Sequence, residues 1–265
     1  MNYKLGFIGC GNMGGALIRA AAKAIDGAQI AVCDFDAQKT QALKQECNVN
    51  VTSAQEIAQN ASFVVMGVKP QMMQDALNEI AALLQAREDV TVVTMAAGLS
   101  ISAIQSFIGK ALPVIRIMPN TPVLLGAGMI LFSVDKVSEE AESEFLRCFQ
   151  YAGLFDKIPE SEIDAGSALS GCGPAFMYAY AKALADGAIE CGVPKEKALT
   201  YAAQTMLGSA KMLLAYGNPE QLIKNVCSPG GTTIEGVKTL QQENLDGVAS
   251  DAIKASYKRT LELKK

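Results

Sequence analysis

Three glycines near the amino terminus have the spacing of a nucleotide-binding turn. Gly9, Gly11 and Gly14 form the pattern G-x-G-x-x-G between an apolar run, 5–8, and a helix-forming run, 16–22. In such a turn the first glycine permits the bend, the second lets a pyrophosphate approach the backbone, and the third lets the helix pack closely on the strand. The phosphates would meet free N–H groups and the positive end of the helix dipole. An ordinary glycine-rich turn can contain the same residues, so the context decides.

The context includes an acidic residue at the position expected for a ribose. A second apolar run, 29–33, ends at Asp34, about 20 residues beyond the last glycine. A carboxylate at this place accepts hydrogen bonds from a ribose hydroxyl. The strand, the turn, the helix and the second strand with its terminal acid together predict a dinucleotide site.

The elements that must position this site alternate between strand and helix. Continuous apolar runs predict buried strands, and a capping box formed by Ser53 and Glu56 predicts a helix start. Further strands are predicted at 49–51, 61–68, 89–95, 114–118, 128–133 and 154–158, with helices at 37–47, after 53, up to 86, at 100–107 and at 138–151. This order is typical of an α/β fold. We expect a Rossmann-type, mostly parallel sheet in a dinucleotide-binding domain of residues 1–158.

In an open parallel sheet, ligands bind beyond the carboxyl ends of the strands. The residues that follow the predicted strands should therefore border the site. They are Lys69 with Pro70, Ala96 to Gly98, and Asn120 with Thr121.

After residue 158 the pattern changes to long, alanine-rich helices. Helices are predicted from Pro174 to about 191, at 195–216, up to about 227, after Thr233 and at 245–264. Their apolar surface exceeds what one subunit can cover. We therefore expect residues 159–265 to be an all-helical domain that forms a homodimer.

A second glycine-rich helix start lies at 228–233. Proline and paired glycines at a helix start present bare N–H groups and hydroxyls, which can bind an anion without a cation. A small carboxylate fits this description, although a well-capped loop explains the same residues. Lys182 is a candidate proton donor, but a lysine on a surface helix is more often solvated. Tyr178 and Tyr180 are expected to be packing residues.

Composition excludes several classes of function. The chain of 265 residues has a net charge of −4 and no basic stripe, which argues against nucleic acid as a partner. It contains no His, and its seven Cys form no C-x-x-C pair, so no metal site is expected. Charged residues interrupt the later apolar segments, and no apolar leader precedes the first strand. We expect a cytoplasmic protein without a membrane span.

Several motifs together resemble those of the pyrroline-5-carboxylate reductases. The resemblance is carried by residues 6–14, 68–71, 96–98, 118–122, 169–176 and 226–233. The Ser-Pro-Gly-Gly-x-Thr segment is specific to that family, whereas many dehydrogenases share the glycine pattern. The resemblance implies hydride transfer from NADPH or NADH to a cyclic imine carboxylate, giving L-proline in the last step of proline synthesis. It also implies a homodimer that can associate into a ring of dimers.

The resemblance assigns roles to individual residues. The substrate carboxylate would be held by Ser228, Gly230, Gly231, Thr232 and Thr233, with the Thr233 hydroxyl near the ring nitrogen as a proton relay. The cofactor would be bound by Gly9, Gly11, Asn12, Met13, Gly14, Asp34, Lys39, Val68, Lys69, Pro70, Ala96, Ala97, Gly98 and Asn120. Of these, Lys69, Ala97 and Asn120 would border the ribose and nicotinamide.

One position departs from the family pattern. Many members have small, polar or basic residues where this chain has Asp34, and an acid there should repel a ribose phosphate. Asp34 alone favours NADH, but Lys39 on the following helix could offset it. The sequence therefore leaves both NADH and NADPH open.

Two other functions fit parts of the sequence. A reductase of the β-hydroxyacid dehydrogenase or imine reductase type would have the same layout and would depend on Lys182 as its acid. A non-catalytic dinucleotide sensor would bind cofactor without turnover. The segment 228–233 argues against the sensor, because a sensor needs no second anion site.

Overall fold

The computed structural model describes residues 3–262 and divides the chain into two compact units. The first unit ends at Cys172 and also takes in the end of the last helix from Ser256 onward, and the second comprises Gly173–Ala255. The domain boundary predicted after residue 158 stays a prediction. The helix that follows it, Glu160–Ser170, belongs to the first unit.

The first unit is built on one eight-stranded sheet. Its strands are β1 Tyr3–Ile8, β2 Ile30–Cys33, β3 Asn50–Val51, β4 Ala61–Met66, β5 Thr91–Thr94, β6 Val114–Met118, β7 Gly128–Asp135 and β8 Gly153–Lys157. They lie in the order β3-β2-β1-β4-β5-β6-β7-β8. The chain therefore starts at the centre, builds β2 and β3 on one side, and then crosses to the other side with β4. The mostly parallel, Rossmann-type sheet predicted from the sequence is confirmed.

The direction of β7 was not predicted. Among the described strands, β6 and β7 form the antiparallel pair. Their connection is a short 3-10 turn, Thr121–Leu125, that ends at Gly126 with a φ of +72°. A parallel connection needs a dozen or more residues, so this short link reverses the chain.

Seven helices cover the two faces of this sheet within the described part of the first unit. They are α1 Asn12–Ala21, α2 Ala37–Cys47, α3 Ala54–Asn60, α4 Met73–Gln85, α5 Ile101–Ile108, α6 Glu139–Cys148 and α7 Glu160–Ser170. Successive residues of β4 alternate between two cores: Phe63 packs with α1 and α6, whereas Val64 packs with α3, α4 and α5. Burial on both faces explains why the strands are continuous apolar runs.

The strand predicted at 61–68 ends two residues early. Gly67 N–H still donates to the Ile8 carbonyl at 2.7 Å. Beyond that point β1 has turned into the glycine turn and offers no partner, so Val68 and Lys69 leave the sheet. The predicted bounds of β6 are confirmed, the ends of the other strands differ from the predicted ends by at most two residues, and the helix predicted at 138–151 is the shorter α6.

The second unit contains helices only. They are α8 Gly173–Glu190, α9 Lys195–Tyr216, α10 Pro219–Val226, α11 Thr232–Gln242 and the part of α12, Leu245–Glu262, that precedes Ser256. The predicted end of the last helix at Lys264 lies outside the described residues. The buried side chains of the second unit, within the described range, are those of Ala181, Ala185, Ala198 and Ala202.

Large apolar side chains of the second unit are exposed. Those more than two-fifths exposed are Met177, Tyr178, Leu184, Leu199, Tyr201, Leu207, Met212, Leu213, Leu214, Tyr216, Ile223, Val226 and Val248. Tyr178, predicted to be a packing residue, is among them. Exposure on this scale is typical of a surface that another chain covers. None of the helices within residues 3–262 is both long and apolar enough to cross a membrane.

Candidate active site

The glycine turn between β1 and α1 has the geometry that a pyrophosphate requires. Gly9 has a φ of +101°, and a Cβ at this position would stand 2.5 Å from the Gly67 carbonyl carbon. A Cβ on Gly14 would stand 2.4 Å from the Gly9 carbonyl oxygen, which explains the close approach of α1 to the turn. A Cβ on Gly11 would meet nothing within 4 Å. The backbone is thus open to a ligand at the second glycine.

The start of α1 faces this open turn without a side-chain cap. Gly11 is the N-cap residue and supplies no side-chain hydrogen bond, and Asn12 and Met13 begin the helix. The first N–H groups of a helix are the donors that a phosphate uses. The residues present therefore fit the pyrophosphate of a dinucleotide.

Asp34, at the end of β2, is held rigidly against the turn. Its Oδ2 accepts a hydrogen bond from Cys10 N–H at 2.6 Å, and its Oδ1 accepts one from Asp36 N–H at 2.9 Å. The Asp34 side chain is 13% exposed. Each carboxylate oxygen has a second lone pair, so both can still accept a hydrogen bond from a ligand.

Lys39 lies beside this carboxylate on α2. Its Nζ is 4.0 Å from Asp34 Oδ1 and 3.5 Å from Asp36 Oδ2. The side chain is half exposed. The ammonium group is therefore shared between two acids at the mouth of the site.

A cavity of about 560 Å³ lies beyond the carboxyl ends of β1, β2 and β4. This is the point where the strand order changes direction, which is where open α/β sheets bind ligands. Six of the predicted cofactor residues line it: Gly9, Gly11, Asp34, Lys39, Val68 and Lys69.

Sequence reasoning missed other residues that line this cavity. Phe35, which is 90% exposed, follows Asp34 directly, and Ser53 to Gln55 follow β3. Ile8, Cys33 and Gly67 line it at the ends of the strands, and Met72, Asp75, Ala76 and Glu79 line it from the side of α4. Their spacing of three, four and seven residues places them on one face of α4 and the turn before it, a signal that could have been used.

The other predicted cofactor residues lie outside the lining of this cavity. Pro70 begins the 3-10 turn Pro70–Met72, and Ala96 to Gly98 follow β5, with Gly98 at a φ of +79°. Asn120 is buried after β6. Its Oδ1 accepts a hydrogen bond from Met129 N–H and its Nδ2 donates one to the Ser170 carbonyl, each at 2.9 Å. The Asn120 amide thus ties the end of β6 to β7 and α7.

The two cysteines beside the turn are packing residues. Burial, followed by the negative charge of Asp34, raises the pKa of the Cys10 thiol to about 12. Its Sγ–H donates to the Cys33 carbonyl at 3.6 Å. Burial also raises the pKa of Cys33. A neutral, buried thiol is a poor nucleophile, so we assign Cys10 no part in the chemistry.

The predicted carboxylate site lies at the start of α11 in the second unit. Gly230 has a φ of +72°, and Gly231 N–H donates to the Ser228 carbonyl at 3.0 Å. Gly231 is the N-cap and offers no side-chain hydrogen bond, so the N–H groups of Thr232 and Thr233 point out of an uncapped helix start. Such a start, with nearby hydroxyls, suits a small anion.

Thr233 also borders an apolar cavity of about 370 Å³ between α9, α10 and α11. Its apolar walls include Met212, Leu213, Leu222 and Ile223. An anion site at the rim of an apolar cavity matches a substrate with a carboxylate and a hydrocarbon ring.

Lys182, the alternative proton donor, lies on α8. Its Nζ is 2.5 Å from Asp186 Oδ2, and the Lys182 side chain is 74% exposed. This is the geometry of a solvated surface pair. Within residues 3–262, no group of three or more His, Cys, Asp or Glu side chains could hold a metal ion.

Comparison with known proteins places both halves of the chain. A family model described as pyrroline-5-carboxylate reductase dimerisation matches residues 160–263, and one described as NADP oxidoreductase, coenzyme F420-dependent, matches residues 4–98. Pyrroline-5-carboxylate reductase of Escherichia coli K12 is 37% identical, with all of both chains covered. A solved pyrroline-5-carboxylate reductase from Coxiella burnetii is 31% identical, with all of both chains covered and a TM-score of 0.91. The Plasmodium falciparum enzyme, solved with NADP bound, is 28% identical with a TM-score of 0.87. The match covers 100% of this chain and 99% of the Plasmodium chain.

A glycine turn suited to a pyrophosphate lies at the switch point of a Rossmann-type sheet, and residues 4–98 match an oxidoreductase model, which together define a dinucleotide-dependent oxidoreductase. The full-length relatives narrow this class to one reaction. The chain belongs to the pyrroline-5-carboxylate reductase family, and it uses NAD(P)H. Its dimerisation model supports a homodimer, in agreement with the exposed helices of the second unit.

Proposed function

We propose an assignment of residues by which this enzyme reduces 1-pyrroline-5-carboxylate to L-proline, the activity that its family membership gives it. The cofactor supplies a hydride to the imine carbon. In the first unit, the turn of Gly9, Gly11 and Gly14 with Asn12 and Met13 binds the pyrophosphate. Asp34 binds the adenosine ribose.

The remaining cofactor residues act around the nicotinamide half. Lys69, Ala97 and Asn120 border the ribose and nicotinamide, supported by Val68, Pro70, Ala96 and Gly98, because they follow β4, β5 and β6 at the carboxyl edge of the sheet. Asn120 acts by position, since both ends of its amide already bind backbone groups.

Substrate binding is assigned to the second unit. The observation that carries this assignment is the uncapped start of α11, where Ser228, Gly230, Gly231, Thr232 and Thr233 offer N–H groups and hydroxyls to a carboxylate. The apolar cavity beside Thr233 would receive the ring.

The chemistry suits a chain without histidine. An imine nitrogen can be protonated before hydride arrives, so that reduction at carbon neutralises a cation and leaves an amine. No strong acid from the enzyme is then required, and the main contribution is to hold the reactants together, an effect of about 7 to 11 kcal/mol. Thr233, with its hydroxyl near the ring nitrogen, relays the proton.

The test is Thr233→Ala. We expect kcat/KM for pyrroline-5-carboxylate to fall about 100-fold, because a positioned proton relay and one carboxylate contact are lost. The affinity for NAD(P)H should stay within about twofold, since the cofactor contacts lie in the other unit. Unchanged turnover would remove Thr233 from its role. Thr239→Ala is the matched control, because Thr239 lies on the same helix and bonds the Glu235 carbonyl.

Assembly and location complete the proposal. Residues 159–265 form the dimerisation and substrate domain, which the match of the dimerisation model to 160–263 supports. The dimers associate further into a ring, and the enzyme acts in the cytoplasm. Light scattering of the purified protein would measure the mass of the assembly directly.

A further inference from the structure

We infer that the charges around the end of β2 make this enzyme select NADH over NADPH. The inference rests on the proposed dinucleotide site and adds the specificity of that site. NADPH differs from NADH by a phosphate on the adenosine 2′-hydroxyl, the group that Asp34 is placed to meet.

Asp34 cannot easily move out of the way of a phosphate. Its two oxygens are held by the N–H groups of Cys10 and Asp36, at 2.6 and 2.9 Å, and the side chain is largely buried. Displacing it would strip the Cys10 N–H of its acceptor inside the pyrophosphate turn. Because buried polar groups are costly to leave unpaired, the carboxylate stays and presents its free lone pairs to ribose hydroxyls.

Lys39 does not offset this charge. Its Nζ lies between Asp34 and Asp36, at 4.0 and 3.5 Å, so its one positive charge is shared between two negative ones. A phosphate entering here would have to compete with both carboxylates for the same ammonium group.

The rest of the cavity lining adds no net positive charge. Apart from Asp34 and Lys39, its charged lining residues are Lys69, Asp75 and Glu79. Acids therefore outnumber lysines around the whole cavity. Phe35, next to Asp34, offers an exposed apolar ring and no hydrogen-bond donor from its side chain, which suits an adenine base better than a phosphate.

The experiment measures the dissociation constants of NADH and NADPH with the full chain by nicotinamide fluorescence, alongside kcat/KM with pyrroline-5-carboxylate. The unchanged enzyme should bind NADH at least about tenfold more tightly than NADPH. Asp34→Asn keeps an acceptor for Cys10 N–H but removes the charge. It should shift the ratio of the two dissociation constants toward NADPH by about 10- to 100-fold, because a charge-assisted hydrogen bond is lost and a repulsion is relieved.

Asp36→Asn and Asp251→Asn complete the set. Asp36→Asn releases Lys39 from one partner and should shift the ratio toward NADPH by less than Asp34→Asn does. Asp251 is an exposed acid of α12 paired with Lys254, and its variant should leave the ratio unchanged. Equal or tighter binding of NADPH by the unchanged enzyme, or an unaltered ratio in Asp34→Asn, would overturn the inference. Absence of turnover with a clear NADH preference in binding would instead contradict the proposed reaction.

Discussion

The two units, to which we assign cofactor binding and substrate binding, are stabilised in different ways. The glycine turn between β1 and α1 lies on a sheet with large buried side chains on both faces, and Gly9 and Gly14 are fixed by close backbone contacts. The loop before α11 has no such support: a Cβ on Gly230 would meet nothing within 4 Å, and the described core of its unit consists of alanine side chains. The site in the first unit is therefore held in place by contacts within that unit. The order of the loop before α11 depends on the chain that covers the exposed helices of the second unit.

This difference leads us to expect that cofactor choice and substrate binding respond differently to assembly. The choice of cofactor is set by contacts within one unit, such as those of Asp34, and should be insensitive to assembly. Substrate binding, which we assign to the second unit, would rely on helices whose apolar faces are exposed in the single chain, so we expect it to vary with the state of association.

The ion pairs of the two units provide the largest expected contrast. Arg116 on β6 is 2% exposed, and its Nη2 lies 2.7 Å from Asp164 Oδ1 and its Nη1 3.1 Å from Glu160 Oε1, which joins α7 to the sheet. Arg116→Met should lower the free energy of unfolding by about 3–5 kcal/mol, because it removes the positive charge from a buried ion pair and keeps the negative one. Lys182→Met breaks the exposed pair with Asp186 and should cost at most about 1 kcal/mol. Urea unfolding of both variants measures the difference.

The Lys182 variant also tests a competing mechanism. If Lys182 only forms a surface pair, Lys182→Met keeps kcat within about twofold. Loss of turnover in that variant would favour a reductase with a lysine acid. A small loss of stability in Arg116→Met would mean that the first unit is less dependent on its buried contacts than its packing indicates.

Dependence on assembly can be tested with two leucines of nearly equal exposure. Leu214, in the second unit, is 85% exposed, and Leu125, in the first unit, is 87% exposed. Leu214→Asp should weaken dimerisation by about tenfold or more, because the interface would have to bury an unpaired charge. Leu125→Asp should leave the mass of the assembly unchanged. Analytical ultracentrifugation across a concentration series measures both, and equal behaviour of the two variants would show that the apolar face of α9 is not the covered surface.

The sequence predicted the parts of the molecule that local rules determine. The bounds of β6 and α9 are those expected, because continuous apolar and alanine-rich runs specify them locally. The reversal at β7 was missed, since it follows from the short connection after Met118 rather than from the composition of the strand. Asp34 was predicted as a ribose ligand, but its bond to Cys10 N–H joins residues far apart in the chain and could be seen only in the fold. The spacing of Asp75, Ala76 and Glu79 places them on one side of α4, but only the fold shows that this side faces the cavity.

The smallest expected contrast is the difference in reactivity between one cysteine of each unit, which can be measured without changing the sequence. Cys10 is buried in the first unit with its pKa raised to about 12, whereas Cys191, after α8 in the second unit, is exposed. The raised pKa keeps the Cys10 thiol almost fully protonated at pH 8, so iodoacetamide should label Cys191 within minutes and leave Cys10 intact. Because the pKa of Cys10 is raised, its labelling should increase about tenfold per pH unit from pH 9 to 11 while the fold persists. Peptide mass spectrometry follows both sites, and rapid labelling of Cys10 at pH 8 would mean that the pyrophosphate turn opens far more often than its contacts indicate.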